Sequence, residues 1–390
     1  MAMMVADAIV IGLGAMGSAA ALQLARRGAK VIGIDRFSPP HEHGSSHGET
    51  RITREAIGEG ECYVPLVKRA HEIWREIEAE TGEELLVQCG GLVLSGACSS
   101  HPKKAGFLDQ TVAAAQRYNV PHEVLSADEV GTRFPQFVLE GDERAYFEPG
   151  AGFVYPERCI AAQLRLAAQA GASLRTGEIV TAISSSGSGV RVETDRGVYE
   201  AGRAILSAGA WNPGLAGSPL GHLSIYRQVL NWFEAEDPAQ YTPGRFPVFI
   251  WMHGSEGDQS YGFPIPPGTE GLKVATETYE RTLGSPDEID RTVASAETAF
   301  TYDKHVRSRL RGVTERCLKS KTCLYTLAPD SRFVIDAHPE NDRLTIVSAC
   351  SGHGFKHSAA IGEAVAEHTL EGRSRLDLSP FRVPELGGAA

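Results

Sequence analysis

Gly12-Leu13-Gly14-Ala15-Met16-Gly17 is the stretch that decides the fold of this chain of 390 residues. It matches the pattern G-x-G-x-x-G, and an apolar run over residues 8–11 before it predicts a buried strand. After it, the Ala- and Leu-rich residues 17–27 predict a helix that ends at Gly28, and residues 30–35 predict a second strand. Strand, glycine-rich turn, helix and strand form a βαβ unit, which opens a dinucleotide-binding domain.

The three glycines and the acid that follows them predict how a dinucleotide is held. Gly12 permits the tight turn, Gly14 lets a pyrophosphate approach the backbone, and Gly17 lets helix and strand pack closely. The free N–H groups at the start of the helix attract phosphate. Asp35 ends the second strand, where an acid binds an unphosphorylated ribose, so FAD or NAD is favoured over NADP. The motif does not decide between FAD and NAD.

Hydrophobic periodicity predicts the remaining elements and a division into two domains. The predicted elements are helices over residues 65–80, 157–169 and 358–370, a small β-meander over 178–200, mostly strands over 221–281, and a strand over 344–347. We expect an α/β plus α+β fold with two discontinuous domains. They are a Rossmann-type dinucleotide-binding domain over 1–85, 150–215 and 320–390, and a sheet-rich substrate domain over 86–149 and 216–319.

Composition excludes several classes of protein. A formal charge of -11 and a pI near 5.7 argue against a nucleic-acid or anionic-membrane partner. No apolar run approaches the roughly 20 residues that span a bilayer, and residues 1–10 lack the basic opening of a signal peptide. The seven cysteines are scattered and odd in number, which favours a reducing cytoplasm. They are Cys62, Cys89, Cys98, Cys159, Cys317, Cys323 and Cys350.

Four further segments follow in order along the chain. They are GSSHGETRITR at 44–54, YGFP at 261–264 followed by GLK at 271–273, TCLYT at 322–326 with Pro329-Asp330 and Ile335-Asp336 downstream, and SGHGFK at 351–356. Taken together after the glycine motif, they resemble the monomeric sarcosine oxidase and N-methyltryptophan oxidase family, over nearly the whole chain. This resemblance implies FAD as the cofactor and the D-amino-acid-oxidase-like fold.

The resemblance also implies that the flavin is attached covalently through Cys323, the cysteine of the TCLYT segment. Attachment requires a thiolate, and thiolates form in electropositive surroundings. The competing interpretation is a buried structural cysteine, which is the usual fate of this residue type. Cys317 lies six residues earlier in a context that matches the family less well.

The resemblance also implies which residues contact the substrate and the flavin ring. Arg54 and Lys356 correspond to the two family residues that hold the substrate carboxylate, one as a fork and one as a point charge. Lys273 corresponds to the lysine over the flavin that promotes the reaction with oxygen. The other implied residues are Arg51 and His47 near the flavin, Tyr261 and Tyr325 around the substrate, and Gly352 and Gly354 in a loop against the flavin.

One position departs from the family. Sarcosine oxidases carry a histidine four residues after the lysine, and here that position is Glu277. A carboxylate would repel the acid group of the substrate but could attract an amine or a hydroxyl. The stretch from Pro264 to Lys273 is also one residue longer than expected. Both features put sarcosine itself in doubt and leave the class of reaction intact.

The expected function is oxidation of a secondary or N-methylated amino acid to an imine, which water converts to aldehyde and amine while oxygen becomes hydrogen peroxide. Alternatives are an oxidase of glycated or cyclic imino acids, an amine dehydrogenase, an NAD-dependent dehydrogenase and a non-catalytic dinucleotide-binding protein. We expect a cytoplasmic monomer whose partners are a small amine and oxygen. No metal is expected, because the clusters of Cys350 with His353 and His357, and of His41 with His43 and His47, are more typical of loops.

Overall fold

The computed structural model describes residues 4–96, 106–187, 189–254 and 258–383, with side chains from residue 6 onward. Cys98 and the N-terminal residues 1–3 lie outside the described residues. Within these ranges none of the helices combines the length and the apolar character that a membrane span requires.

Eight α-helices are formed by the described residues. They are α1 Ala15–Arg26, α2 Val64–Thr81, α3 Phe107–Arg117, α4 Ala127–Arg133, α5 Pro156–Gln169, α6 Asn212–Ala216, α7 Ser295–His305 and α8 Ser358–Glu371. The predicted helices over 65–80, 157–169 and 358–370 correspond to α2, α5 and α8. The sequence analysis did not predict α3, α4, α6 or α7.

The strands are numbered in chain order. The first ten are β1 Met4–Ile11, β2 Val31–Asp35, β3 Arg51–Thr53, β4 Leu86–Gln88, β5 Gly91–Ser95, β6 Glu123–Ser126, β7 Arg144–Glu148, β8 Gly152–Val154, β9 Ser173–Thr176 and β10 Val180–Ser186. The others are β11 Gly189–Thr194, β12 Val198–Leu206, β13 Ser224–Ala235, β14 Val248–His253, β15 Asp258–Gly262, β16 Leu272–Ala275, β17 Thr282–Leu283, β18 Val313–Leu327, β19 Val334–His338 and β20 Asn341–Ser348.

The first sheet has eight strands and carries the dinucleotide motif. β1 lies between β2 and β12, β9 pairs with β2, β20 pairs with β12, and all four of these pairings are parallel. The antiparallel meander of β10, β11 and β12 extends one edge, as the sequence predicted. The predicted βαβ unit and the Rossmann-type architecture are therefore confirmed.

The second sheet has nine strands and is mostly antiparallel. Its order is β17-β13-β16-β15-β14-β5-β7-β6, with β18 paired along β13. β14 and β5 run parallel, and the other pairs are antiparallel. A third, small sheet joins β3, β8 and β4. A sheet-rich second unit was expected from the aromatic and turn-rich stretch that became β13 to β16, and this expectation is confirmed.

Helix α1 is the centre of the largest apolar core. The helix was predicted from residue 17 but begins at Ala15, because the extended Gly14 already serves as its N-cap. Almost every side chain from Ala15 to Ala25 is buried, packed against α5 and α8. The N-terminus of α1 has no acidic residue in its first turn, so its free N–H groups face an approaching anion without competition from that turn.

The division of the chain into two domains stays a proposal. The strands of the first sheet come from the segments expected to bind the nucleotide, and those of the second sheet come mainly from the segments assigned to the substrate domain. The boundary at residue 320 falls inside β18, whose pairing runs entirely along β13 of the second sheet. A boundary after Leu327 would keep this strand whole.

Candidate active site

A cavity of about 590 Å³ extends from the first sheet to the second. One end is lined by the glycine turn, the start of α1 and the end of β2, and the other by side chains of the second sheet. Drug-sized ligands and cofactors bind in cavities of roughly 300–1,000 Å³. The predicted site residues that line it are Gly12, Gly14, Asp35, Arg51, Arg54, Tyr261, Glu277, Tyr325, Gly352, Gly354 and Lys356.

The glycine turn closes the nucleotide end of this cavity. Gly12 has a φ of 84°, and a Cβ there would lie 2.6 Å from the Cα of Ala208. A Cβ on Gly17 would lie 1.7 Å from the carbonyl oxygen of Gly12, so no side chain fits between turn and helix. Within 4 Å, a Cβ on Gly14 would meet only the hydroxyl of Ser46, at 3.7 Å. Gly14 therefore leaves space for a phosphate, and Gly17 packs behind the cavity wall.

Asp35 links the turn to the end of β2. Its carboxylate accepts hydrogen bonds from the backbone N–H groups of Leu13 at 2.7 Å and Phe37 at 2.8 Å. The residue is buried and still lines the cavity. A carboxylate held in this way has lone pairs left for ribose hydroxyls. The turn, the helix N-terminus and this acid fit the adenosine and pyrophosphate of a dinucleotide.

Cys323 lies on β18, outside the cavity lining but next to Arg51, which lines the other end of the cavity. The Cys323 Sγ is 3.6 Å from Nη2 of Arg51 and 3.7 Å from the carbonyl oxygen of Ser45, and the residue is only 1% exposed. Burial raises the pKa of the Cys323 thiol, and the nearby Arg51 and Lys273 only partly offset that rise. The expected electropositive surroundings are present, but burial is the stronger influence on this thiol.

Lys273 is buried behind the backbone of residues 48–50 and does not form part of the cavity wall. Its Nζ donates to the carbonyl oxygens of Gly48 and Thr50, both at 2.7 Å, and lies 4.3 Å from the ring centre of Phe263. Burial, with a contribution from Arg51, lowers the pKa of Lys273 well below its usual value. Its predicted role toward oxygen stays a prediction.

His47 is fully buried and likewise lies outside the cavity lining. Within the described residues neither of its ring nitrogens has a hydrogen-bond partner. Burial, together with Arg51 and Lys273, lowers the pKa of His47 to about 2, so the imidazole is neutral at physiological pH. It therefore does not act as a cationic acid in this arrangement, and its role near the flavin stays a prediction.

Arg54 and Lys356 are both buried and both line the cavity. Arg54 forms an ion pair with Glu59, at 2.7 Å from Nη2 to Oε2, and also donates to the carbonyl oxygen of Ala56. Lys356 donates to the carbonyl oxygen of His353 at 2.7 Å. Two cations facing one cavity suit an anionic ligand group, although Glu59 competes for one of them.

Tyr261, Tyr325 and Glu277 also line the cavity. The hydroxyls of Tyr261 and Tyr325 are 3.4 Å apart, and burial raises the pKa of Tyr261 to about 12, so this phenol is neutral. Glu277 faces inward and accepts a hydrogen bond from the hydroxyl of Tyr279 at 2.7 Å. Gly352 packs closely against Tyr325, because a Cβ at this glycine would lie 3.0 Å from the tyrosine ring. Gly354 continues the same loop and also lines the cavity.

Comparison with known protein families matches residues 7–368 to the family described as FAD dependent oxidoreductase. The chain belongs to the FAD-dependent oxidoreductase family. This membership decides between the two cofactors that the glycine motif left open, in favour of FAD. The resemblance inferred from the four segments and the expected fold class are confirmed.

Relatives of this FAD-dependent oxidoreductase match almost its whole length. Monomeric sarcosine oxidase of Streptomyces avermitilis is 39% identical over 386 residues, which cover 98% of each chain. N-methyl-L-tryptophan oxidase of Salmonella arizonae is 36% identical, covering 97% of this chain and 98% of the relative. Among solved structures, NikD, an unusual amino acid oxidase essential for nikkomycin biosynthesis, superposes with a TM-score of 0.83 at 26% identity, covering 97% and 98% of the two chains.

Three contacts around the candidate site of the oxidoreductase were not predicted from the sequence. Glu157 accepts from the backbone N–H groups of Gly48 at 2.6 Å and Glu49 at 3.1 Å, so it anchors the loop that carries Arg51. Glu59 pairs with Arg54, and Tyr279 binds Glu277. The sequence offered one signal for Glu157, which is its position in the first turn of α5. Acidic residues are common there in any helix, so this position alone did not indicate a contact with the loop.

The two clusters of cysteine and histidine considered above as metal sites are not metal sites among the described residues. Within the part of the chain that the structure describes, no group of three His, Cys, Asp or Glu residues could hold a metal ion. His353 and His357 instead pack among aromatic rings, with Tyr63 in edge contact with His353 at 4.8 Å between ring centres. His41 and His43 flank Phe37, which places them at the nucleotide end of the cavity.

Proposed function

We propose that this FAD-dependent oxidoreductase oxidises secondary or N-methylated amino acids, using oxygen as the electron acceptor. The observation that carries the proposal is the joint presence of Arg54, Lys356, Tyr261 and Tyr325 in the cavity that begins at the dinucleotide turn. A further support is that relatives matching nearly the whole chain are named monomeric sarcosine oxidase and N-methyl-L-tryptophan oxidase. In this proposal Arg54 and Lys356 bind the substrate carboxylate, and the tyrosines enclose the carbon and nitrogen that react.

FAD held by the glycine turn and Asp35 would supply the redox chemistry, which is removal of a hydride equivalent from the carbon beside the nitrogen and transfer of the electrons to oxygen. The residues of the chain orient the substrate and exclude water. The substrate is left as an imine, and its hydrolysis gives an aldehyde and an amine. Arg51, half-buried next to the Cys323 thiol, stabilises negative charge at that end of the cavity. Lys273 donates to the carbonyl oxygens of Gly48 and Thr50, in the segment that leads to Arg51. Its position beside that segment supports a role in the reaction with oxygen.

Glu59 competes with a substrate carboxylate for Arg54, because the two side chains form an ion pair. In the described arrangement Glu59 occupies the Nη2 side of Arg54, and the Nε of Arg54 has no hydrogen-bond partner among the described residues. A buried guanidinium donor without a partner is costly, by roughly 1–3 kcal/mol. A substrate carboxylate that reaches this group would satisfy it, and Lys356 lines the same cavity. This supports binding of an amino-acid anion at Arg54.

We also propose that the flavin is attached covalently through Cys323. Its Sγ lies beside the Arg51 guanidinium, which partly offsets the effect of burial on the pKa of this thiol and so helps to form the thiolate that attachment requires. The test is acid precipitation of purified holoenzyme. Yellow colour should stay with the precipitated protein in the wild type and in Cys317→Ser, a control on the same strand, and should pass to the supernatant in Cys323→Ser. Colour in the wild-type supernatant would refute covalent attachment while leaving FAD binding intact.

The substrate class is tested by the visible spectrum of the holoenzyme under anaerobic conditions. Sarcosine, other N-methyl amino acids, cyclic imino acids and glycated amino acids are added in turn, and bleaching of the flavin band identifies a substrate. Admitting air should restore the band with formation of hydrogen peroxide. If no compound of the panel bleaches the flavin, the proposed substrate class is wrong. If bleaching occurs but air does not restore the band, the protein is a dehydrogenase.

We further propose a monomer in the cytoplasm. Support for the compartment comes from the cysteines, since all six in the described residues are free. The monomer is implied by the family resemblance. Size-exclusion chromatography with light scattering should give a mass near 41.9 kDa, and a value twice as large would contradict the proposal.

A further inference from the structure

A carboxylate and two tyrosines line one side of the cavity, at the position where the family resemblance implies a histidine, and a third tyrosine contacts that carboxylate. Glu277 follows β16 and lines the cavity together with Tyr261 and Tyr325. The hydroxyl of Tyr279 donates to its Oε2 at 2.7 Å, which holds the carboxylate in place. We call these four residues the Glu277 cluster. Tyr226 packs edge-on against Tyr279, at 5.4 Å between ring centres, and supports the cluster from behind.

The charge of Glu277 acts on the surrounding phenols. Burial and the Glu277 carboxylate together raise the pKa of Tyr279 far above its ordinary value, and burial, Tyr261 and Glu277 do the same for Tyr325. These phenols therefore stay neutral, and their ring faces carry partial negative charge. A carboxylate surrounded by aromatic rings is a combination that binds ammonium groups, through ion pairing and cation–π attraction.

The cluster and the proposed carboxylate site share one cavity. A Cβ placed on Gly352 would lie 3.5 Å from Oε1 of Glu277 and 3.0 Å from the Tyr325 ring, so the cluster faces the loop of residues 350–354. Lys356 is fixed to the end of that loop through the carbonyl of His353 and lines the same space as Arg54. The cavity therefore presents both cations and an anion to its ligand. That pattern is complementary to a zwitterion.

We propose that the Glu277 cluster is a subsite for a positively charged nitrogen of the substrate. The inference rests on the proposed function, because it assigns the nitrogen partner at the site where Arg54 and Lys356 bind the carboxylate. The nitrogen is either the N-alkylated ammonium next to the reacting carbon, whose proton must pass to the Glu277 carboxylate or to water before that carbon is oxidised, or a second ammonium on the side chain of the substrate. In both cases the nitrogen that binds at the Glu277 cluster carries a positive charge, which a neutral histidine would not favour.

The first test measures binding without turnover. Trimethylglycine and 3,3-dimethylbutanoate have the same shape and the same carboxylate, but only the first has a positive nitrogen. Neither has a nitrogen lone pair, so neither forms an imine, and each is titrated into holoenzyme while the flavin spectrum is followed. Trimethylglycine should bind at least tenfold more tightly, equivalent to about 1.4 kcal/mol. Glu277→Gln should bring the ratio close to one, and the exposed control Glu280→Gln should leave it unchanged.

Equal affinity of the two ligands in the wild type would overturn the proposal, and so would a ratio that Glu277→Gln does not alter. This outcome is independent of the proposed function, because it requires no oxidation. If no amine bleaches the flavin but the tenfold preference holds, the proposed function fails and the cation subsite stands. If amines bleach the flavin and the preference is absent, only the subsite fails.

The second test identifies which nitrogen is bound. Nα-methyl-L-lysine is compared with Nα-methyl-2-aminoheptanoate, in which a methyl group replaces the side-chain ammonium. If the cluster binds the side-chain cation, Glu277→Gln should lower kcat/KM about tenfold for the lysine derivative alone. If it binds the nitrogen that reacts, kcat/KM should fall for both compounds. An unchanged kcat/KM for both would contradict either form of the proposal.

Discussion

Replacing Gly17 by alanine should destabilise the protein at the point where turn and helix meet. The added Cβ would lie 1.7 Å from the Gly12 carbonyl oxygen and 2.7 Å from the Ser207 hydroxyl. Ordinary carbon–oxygen contacts are close to 3.4 Å or longer, so turn and helix must separate by roughly 1.7 Å. The obstructing atom belongs to the backbone of a buried turn, which no side-chain rotation can relieve.

The magnitude follows from two contributions. Overpacking of a tight core site costs about 1–3 kcal/mol. The Ser207 hydroxyl also shares its one proton between the carbonyl oxygens of Ile11 at 3.0 Å and Gly12 at 2.8 Å, and displacing it weakens this hydrogen bond. At about 1 kcal/mol for this shared hydrogen bond, the expected loss in unfolding free energy is about 2–4 kcal/mol.

Urea unfolding followed by tryptophan fluorescence measures this loss, with flavin content measured on the same samples. Gly14→Ala is the matched control, because its Cβ meets only the Ser46 hydroxyl at 3.7 Å and its φ of -71° suits alanine. Gly14→Ala should unfold within about 0.5 kcal/mol of the wild type but retain little FAD, since its Cβ occupies space for the pyrophosphate. If Gly17→Ala unfolds at the wild-type urea concentration, the packing argument is wrong.

Two further predictions concern buried cations and histidines. Lys273→Met removes the ammonium behind Gly48 and Thr50, so reoxidation of reduced flavin by oxygen should slow about 100-fold, measured by stopped-flow absorbance. The surface variant Lys321→Met should reoxidise at the wild-type rate, and equal rates for both variants would contradict the assignment. His305 is buried against His253, and burial lowers its pKa from 6.5 to about 4. The unfolded chain therefore takes up a proton that the folded chain excludes, and unfolding free energy should fall between pH 6.5 and about 4, by at most about 1.4 kcal/mol per pH unit for this residue. His305→Asn should flatten that slope in urea titrations, and an unchanged slope would refute the role of this histidine.

Much of the fold was predictable because its signals are local. The apolar run before Gly12, the turn and the Ala-rich helix after it predict a parallel βαβ unit with little help from the rest of the chain. The missed helices α3 and α7 have no glycine motif beside them, and α6 has only five residues. The strand that carries Cys323 was grouped with the nucleotide domain by its position in sequence, but its hydrogen bonds join it to β13.

The site could be predicted only as a set of residue types. The motifs indicated Arg54, Lys356, Tyr261, Tyr325 and Glu277, and all five line one cavity. Whether Glu277 pointed inward could not be read from the chain, because the end of a strand leaves either side open. The structure turns it inward and supplies Tyr279 as its hydrogen-bond partner.

The sequence by itself determined the dinucleotide turn, the order of the elements around it and the family, because these depend on short patterns of glycine, apolar and motif residues. Only the tertiary structure decided that Lys273 is buried behind Gly48, 225 residues away, and that Glu157 anchors the same loop across 109 residues. The physical reason is that such hydrogen bonds form between segments brought together by the two sheets and the packed helices. Their burial and their pKa shifts are properties of that packing, which no local pattern encodes.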